Sequence, residues 1–157
     1  MKKSLSRINA RRHAFNILYQ IPYHENLDLR GFAELKAYYV SIVDEGEIEG
    51  FSEVVRPFGR DAAYINRVCF GVFERLAEID EVIGTFLVNW TVERLNYVDL
   101  ALLRLSIYEM LREGDVSYAS SIDAVVELAK DYGGDTSPAF INGVLANVAR
   151  EMERVAR

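Results

Sequence analysis

The residues best suited to binding chemistry in this sequence are cations near its amino terminus. Within the first 24 residues there is no acid, and there are five bases: Lys2, Lys3, Arg7, Arg11 and Arg12. The other 133 residues hold 13 Lys and Arg against 24 Asp and Glu, a net charge of −11. Basic side chains at a helix start favour phosphate, because the helix dipole and the free N–H groups add to their charge. The pattern predicts a directed contact with an anionic partner, or alternatively a solubilising surface with packed side-chain stems.

The first helix predicted by the sequence carries this basic segment together with an apolar stripe. Apolar residues recur at helical spacing at Ala10, Ala14, Ile17, Leu18 and Ile21. At about 100° per residue, Arg7 and Arg11 fall in the same sector as part of that stripe. His13 directly follows Arg12, so we expect it on the basic surface as a nucleic-acid contact rather than as a general base.

A second candidate for nucleic-acid contact lies near the carboxyl end of the chain. Phe140 and Asn142 lie about 100° to either side of Ile141, on a predicted helix that begins after Ser137 and Pro138. Phe140 lies at the margin of the apolar stripe that contains Ile141, and in one interpretation it packs at the edge of the core. In the other, an aromatic ring beside a helix start stacks an unpaired RNA base. The sequence leaves both interpretations open.

The sequence offers little for catalysis. It contains two histidines and one cysteine, no Gly-rich phosphate loop and no Cys/His spacing typical of a metal site. We therefore predict a protein that is not an enzyme and that needs neither a cofactor nor a metal.

Cys69 lies in the apolar run VCFGVF, which favours a buried thiol in a reducing compartment. No run reaches the roughly 18 uncharged apolar residues of a membrane helix, so we expect a cytoplasmic protein without a membrane partner.

Apolar periodicity predicts seven helices and no strand. Their approximate bounds are 4–21, 28–43, 60–77, 79–88, 97–112, 121–132 and a last helix from 138 onward. The fifth helix is apolar on two sides and should be central, with Asn96 as its N-cap and Asp99 closing its first turn. We expect Ser120 to open the sixth helix, Ser137 to cap the seventh, and the acidic residues 44–53 to form a solvated loop.

Four blocks of this sequence resemble the NusB family of transcription antitermination factors. They are RxxAxxxLYQ at 11–20, IDEVIGTFLVNW at 79–90, RLNYVDLALLRLSIYEML at 94–111, and IDAVVELAKDYG with SPAFINGVL within 122–145. The blocks follow the family order and together span nearly the whole chain. The resemblance implies an all-α helical bundle of two three-helix subdomains, about 1–77 and about 78–157, that share a long central helix.

The resemblance also implies a function in the regulation of ribosomal RNA transcription. It implies a non-enzymatic factor that binds single-stranded boxA RNA with the ribosomal protein NusE, as part of the RNA polymerase antitermination complex. By position, the RNA contacts implied are Lys2, Lys3, Arg7, Arg11, Arg12, Phe140 and Asn142. Tyr19 and Asp99 match positions that face the ribosomal protein, and for Asp99 the capping role is the alternative. The arginines would face RNA because the first helix leaves the bundle there.

Several residues depart from the family pattern. Ile8 and Asn9 stand where the family often has further arginines, which lowers the charge available for RNA. Other departures are Leu100, Ser117 and Asp123-Ala124. Ile8 and Asn9 keep open a second hypothesis, in which the chain is a helical protein-interaction or homodimerisation module without RNA specificity.

Overall fold

The computed structural model describes residues 2–44 and 60–156, and within them all regular structure is helical. Seven α-helices occur in this part of the chain: α1 (Lys2–Tyr19), α2 (Leu29–Asp44), α3 (Arg60–Glu74), α4 (Leu76–Thr85), α5 (Tyr97–Arg112), α6 (Tyr118–Tyr132) and α7 (Ser137–Ala156). Short 3-10 helices, Ile21–Tyr23 and Val92–Arg94, follow α1 and precede α5. The predicted all-α fold is confirmed. Residues 45–53 of the predicted acidic loop lie outside the described residues.

Two compact units divide the chain, Met1–Glu74 and Arg75–Arg157. The first unit contains α1, α2 and α3, and the second contains α4 to α7. The third helix ends three residues earlier than its periodicity predicts, and α4 begins at Leu76 after a single intervening residue.

The core of the first unit forms where α1 packs against α3. Phe32 of α2 completes it, because its ring stacks on Phe73 at 4.5 Å and meets Phe70 edge-on at 5.5 Å between centroids. Cys69 is fully buried there, with its Sγ 3.9 Å from the carbonyl oxygen of Ala14. Burial raises the pKa of the Cys69 thiol to about 12. The prediction that Cys69 is buried is confirmed.

Helix α5 is the central helix of the second unit. It packs against α4, α6 and α7, and all of its residues from 99 to 110 are buried. Asn96 is its N-cap: the side-chain Oδ1 accepts from the Asp99 N–H at 2.8 Å, and Nδ2 donates to Asp99 Oδ2 at 3.0 Å. Both the central position and the cap agree with the sequence prediction.

Polar side chains buried on α5 tie it to its neighbours. The Arg104 guanidinium donates to both carboxylate oxygens of Asp80 on α4, at 2.9 and 2.8 Å. Glu109 accepts a 2.9 Å hydrogen bond from the hydroxyl of Ser121 on α6, which is also 2.9 Å from the hydroxyl of Ser106. Because buried polar groups cost free energy without partners, these bonds fix how the helices of this unit pair.

Two helix starts differ from the sequence prediction. The N-cap of α6 is Ser117, whose Oγ accepts from the N–H of Ser120 at 3.1 Å, so the prediction of Ser120 as the cap is wrong. Ser117, a departure from the family pattern, therefore supplies a cap. Ser137 is the first residue of α7 and not its cap, because its hydroxyl accepts from the N–H of Gly134 at 3.2 Å.

Candidate nucleic-acid interface

Arg7 of α1 is held against α3 within the first unit. Its guanidinium carbon lies 4.2 Å from the ring centroid of Tyr64, and that ring belongs to a completely buried residue. This cation–π geometry positions the guanidinium while part of the side chain stays exposed. The interpretation that α1 leaves the bundle at its arginines is therefore wrong, because Arg7 packs on an aromatic residue of α3 and Arg11 is itself buried.

The other two arginines of α1 have different environments. Arg11 is only 8% exposed, whereas Arg12 is partly exposed and its carbonyl accepts from the side chain of Asn16 at 2.8 Å. Arg11 therefore presents little surface for direct contact with RNA. The predictions for Lys2 and Lys3 concern side chains outside the described part of the chain.

His13 is buried and is not a surface contact, so that expectation is wrong. The residue is 1% exposed, and its Nδ1 lies 2.9 Å from the hydroxyl of Tyr39 on α2, which is also buried. The sequence indicated one buried stripe on α1, but both α2 and α3 pack against this helix. Helix α2 therefore covers His13, and the Tyr39 hydroxyl is a hydrogen-bond partner for its buried imidazole ring.

The two predicted partner-binding residues lie in different units. Tyr19 is partly exposed at the end of α1, with its hydroxyl 2.8 Å from that of Tyr23 and the two rings edge-on at 5.4 Å. Tyr23 is 59% exposed, so the pair offers apolar rings with polar tips, as protein interfaces often use. Asp99 is only 6% exposed and takes part in the α5 cap, while its Oδ1 has no hydrogen-bond partner among the described residues.

Phe140 and Asn142 lie near the start of α7 in the second unit. Phe140 is partly exposed and Asn142 exposed, at opposite margins of the buried stripe that contains Ile141. The structure thus leaves both side chains accessible from solvent.

The junction between α6 and α7 is tight, because a Cβ on Gly133 would lie 2.6 Å from the Cβ of Ser137. Glycine is needed there for this close approach and not for its φ, which is −96°.

The predicted RNA-contacting residues are divided between the two units. Arg7, Arg11 and Arg12 belong to the first unit, and Phe140 and Asn142 to the second. The model of the NusB family matches residues 8–150 of this chain. This chain belongs to the NusB family. The match includes most of the predicted site residues, whereas three cations precede it: Lys2, Lys3 and Arg7.

Relatives over most of the chain bear the same family name. A transcription antitermination protein NusB from Agathobacter rectalis is 34% identical over 145 residues, covering 92% of this chain and 100% of that protein. The NusB of Enterococcus faecalis is 34% identical over 158 residues, covering 99% of this chain and 96% of that protein. The chain is therefore a transcription antitermination protein of the NusB family and not an enzyme, as its sequence predicts.

Solved structures share the NusB fold. The NusB of T. maritima matches with a TM-score of 0.73 and 29% identity, over 92% of this chain and 91% of that chain. A crystal structure of the antitermination factors NusB and NusE in complex with double-stranded RNA matches with a TM-score of 0.74 and 25% identity. That match covers 93% of this chain and 97% of the matched chain.

The described residues of this NusB-family chain contain neither a membrane helix nor a metal centre. No helix among them is both long enough and apolar enough to cross a membrane. No group of three or more His, Cys, Asp or Glu side chains among them is placed to hold a metal ion.

Two aromatic residues of this NusB-family chain were missed by the sequence reasoning. Tyr64 lies four residues before Val68 on the α3 stripe, so its burial follows from the periodicity. The contact between Tyr64 and Arg7 could not be predicted in this way, because neither helix sequence specifies how α1 and α3 pack together. Tyr23 follows Tyr19 by four residues, a spacing at which helical side chains are neighbours. Their contact could therefore have been predicted, although α1 ends at Tyr19 and Tyr23 lies in the following 3-10 helix.

Proposed function

We propose that this NusB-family protein is a cytoplasmic RNA-binding adaptor that acts with the ribosomal protein NusE. In this proposal it binds single-stranded boxA RNA of nascent ribosomal RNA and helps RNA polymerase read through terminators. The observation that carries the proposal is the family match over residues 8–150, supported by the fold similarity to a NusB–NusE–RNA complex.

In the first unit, the arginines of α1 neutralise RNA phosphates. Arg7 and Arg12 supply the direct contacts, because both side chains are partly exposed. Arg11 acts mainly through its charge, since only 8% of it reaches solvent. Phosphate contacts of this kind give affinity without reading sequence, and they make binding depend steeply on salt.

In the second unit, α7 provides base recognition. The partly exposed ring of Phe140 stacks on an unpaired base, and the exposed amide of Asn142 donates and accepts hydrogen bonds at a base edge. Stacking on an aromatic side chain is worth about 1–3 kcal/mol per base. The contact therefore adds a preference for single-stranded RNA to the phosphate affinity of α1.

In this proposal NusE contacts Tyr19 in the first unit and Asp99 in the second. The exposed Tyr23 hydrogen-bonds Tyr19 and enlarges the aromatic surface at the end of α1. The Asp99 carboxylate keeps one buried oxygen without a hydrogen-bond partner among the described residues, so a NusE donor reaches it only with a local rearrangement at the start of α5.

A salt-dependent RNA titration tests the proposal. A fluorescent boxA-type single strand is titrated with the protein, with and without NusE, at several salt concentrations and against scrambled and double-stranded RNA. Each lost phosphate contact should reduce the slope of log K against log salt by about 0.7, so Arg7→Ala with Arg12→Ala should reduce it by about 1.4. The matched control is Arg30→Ala, which removes an arginine of α2 whose side chain is 89% exposed.

Phe140→Ala should separate base reading from charge. We expect it to reduce the preference for boxA over scrambled RNA while the salt slope stays at the wild-type value. Salt-independent binding, or equal binding of the double arginine variant and the wild type, would refute the RNA mechanism.

One observation favours a second candidate function, a self-associating interaction module. Ile8 is 44% exposed on α1, where the family often has arginine, and an exposed apolar side chain there suits a protein contact. Light scattering across protein concentration, with and without RNA, separates the two functions. A concentration-dependent dimer that Ile8→Arg dissolves, without any RNA preference, would support the second function.

A further inference from the structure

A second arginine approaches the buried ring that holds Arg7. The guanidinium carbon of Arg67 on α3 lies 6.0 Å from the Tyr64 ring centroid, and that of Arg7 lies 4.2 Å from it. Arg67 is exposed, and all three residues belong to the first unit. Guanidinium groups from α1 and from α3 therefore lie beside the same ring, which the charge pattern along the sequence does not show.

Both guanidinium groups lie beside one ring, whose electron-rich face attracts cations. Phosphate oxygens accept charge-assisted hydrogen bonds from guanidinium N–H groups, so phosphate suits this pair of side chains. Tyr64 has no solvent exposure, so core packing fixes its position and through it the position of Arg7. Side chains that are already positioned lose less conformational entropy when they bind a phosphate.

We propose that Arg67 is a further RNA-contacting residue and that Tyr64 is the positioning residue for both arginines. Arg7 and Arg67 then bind phosphate groups of one RNA strand along the boundary between α1 and α3. This inference rests on the proposed function, because it takes RNA to be the anion that α1 binds.

The proposal is tested by salt-dependent titration of a fluorescent single-stranded boxA-type RNA in the presence of NusE. Arg67→Gln should reduce the slope of log K against log salt by about 0.7, the value for one phosphate contact. Arg67→Lys keeps the charge and should retain the slope. Arg30→Gln on α2 is the matched control and should leave the slope unchanged, because Arg30 lies on a different helix, where its Nε is 3.5 Å from a carboxylate oxygen of Glu34.

Substitutions at Tyr64 test the positioning role. Tyr64→Phe keeps the ring face and should bind RNA with the wild-type slope. Tyr64→Leu removes the ring, and we expect it to reduce the slope by more than Arg67→Gln alone, because both arginines lose their support. Circular dichroism melting verifies that each variant is folded, and Arg67→Gln with Arg67→Lys decides the question if Tyr64→Leu does not fold.

The outcomes distinguish this inference from the proposed function. If Arg7→Ala reduces the salt slope and Arg67→Gln does not, α1 alone contacts RNA, and this inference falls while the proposed function stands. A uniform loss of affinity in Arg67→Gln at every salt concentration, with the slope unchanged, would also overturn the phosphate contact. If the wild-type protein with NusE does not bind boxA-type RNA at low salt, both fall.

Discussion

Breaking the ion pair between Arg104 and Asp80 should destabilise the second unit. The pair is bidentate, with both carboxylate oxygens accepting from the guanidinium, which is the strongest geometry for such a pair. The Arg104 side chain is 9% exposed and that of Asp80 is 27% exposed. The remaining nitrogen Nη1 of Arg104 is buried without a hydrogen-bond partner among the described residues, so Asp80 supplies most of the compensation for this charge.

The two single substitutions should have unequal effects. Asp80→Ala leaves a nearly buried guanidinium without its carboxylate, and removing one partner of a buried pair costs about 3–5 kcal/mol. Because Asp80 is partly exposed, water can reach the guanidinium from that side, and we expect a loss near the lower limit, about 3 kcal/mol. Arg104→Met keeps the apolar stem and leaves a carboxylate that water can solvate, so it should cost about 1 kcal/mol.

Urea unfolding followed by tryptophan fluorescence measures the free energy of unfolding of the second unit, because Trp90 is the single tryptophan and lies in that unit. The double variant Asp80→Ala/Arg104→Met should be more stable than Asp80→Ala alone, which gives a coupling free energy of about 2 kcal/mol. As a control, Glu151→Ala breaks the exposed pair with Arg154 on α7 and should leave the urea midpoint nearly unchanged, because water screens an exposed pair. Additive single effects, or an unchanged midpoint for Asp80→Ala, would refute the reasoning.

Three further predictions concern the packing of single residues. Gly133→Ala places a Cβ 2.6 Å from the first residue of α7 and should lower the free energy of unfolding by about 1–3 kcal/mol, measured by thermal melting. Tyr39→Phe removes the hydroxyl 2.9 Å from His13 and should cost about 1–3 kcal/mol in urea unfolding, because a buried imidazole nitrogen loses that partner. Cys69, with its pKa raised to about 12, should resist iodoacetamide at pH 8 until urea unfolds the protein, as mass spectrometry of the labelled chain would record.

The features predicted correctly from the sequence are those that depend on local pattern. Helix α5 is apolar on two sides, and a helix without a polar face has to be central. Its cap was predictable because Asn96 and Asp99 interact within one turn, and the structure contains both hydrogen bonds. The cap of α6 was harder, because Ser117 and Ser120 are both suitable cap residues three positions apart. The observed cap gives α6 three more residues than the prediction at its start.

The features missed by the sequence depend on contacts between helices. His13 carries a polar side chain in a basic segment, and its burial becomes intelligible only when α2 brings Tyr39 to it. The ion pair of Arg104 likewise requires α4 to place Asp80 beside α5, 24 residues away in sequence. A helical wheel assigns faces but does not identify the partner helix, so polar groups with distant partners are assigned to the surface by default.

The contact between Arg7 and Tyr64 also explains why arginine continues an apolar stripe in a protein of net charge −6. At Arg7 the stripe still faces a core residue, Tyr64. The flat guanidinium group packs on the ring of that residue, and the side chain remains partly exposed to solvent. Arg7 lies just outside the family match, which begins at residue 8, whereas Tyr64 lies inside it. The arginine and the ring belong to different helices and can be changed independently, so tests of RNA binding in this chain should vary the arginines and the ring separately.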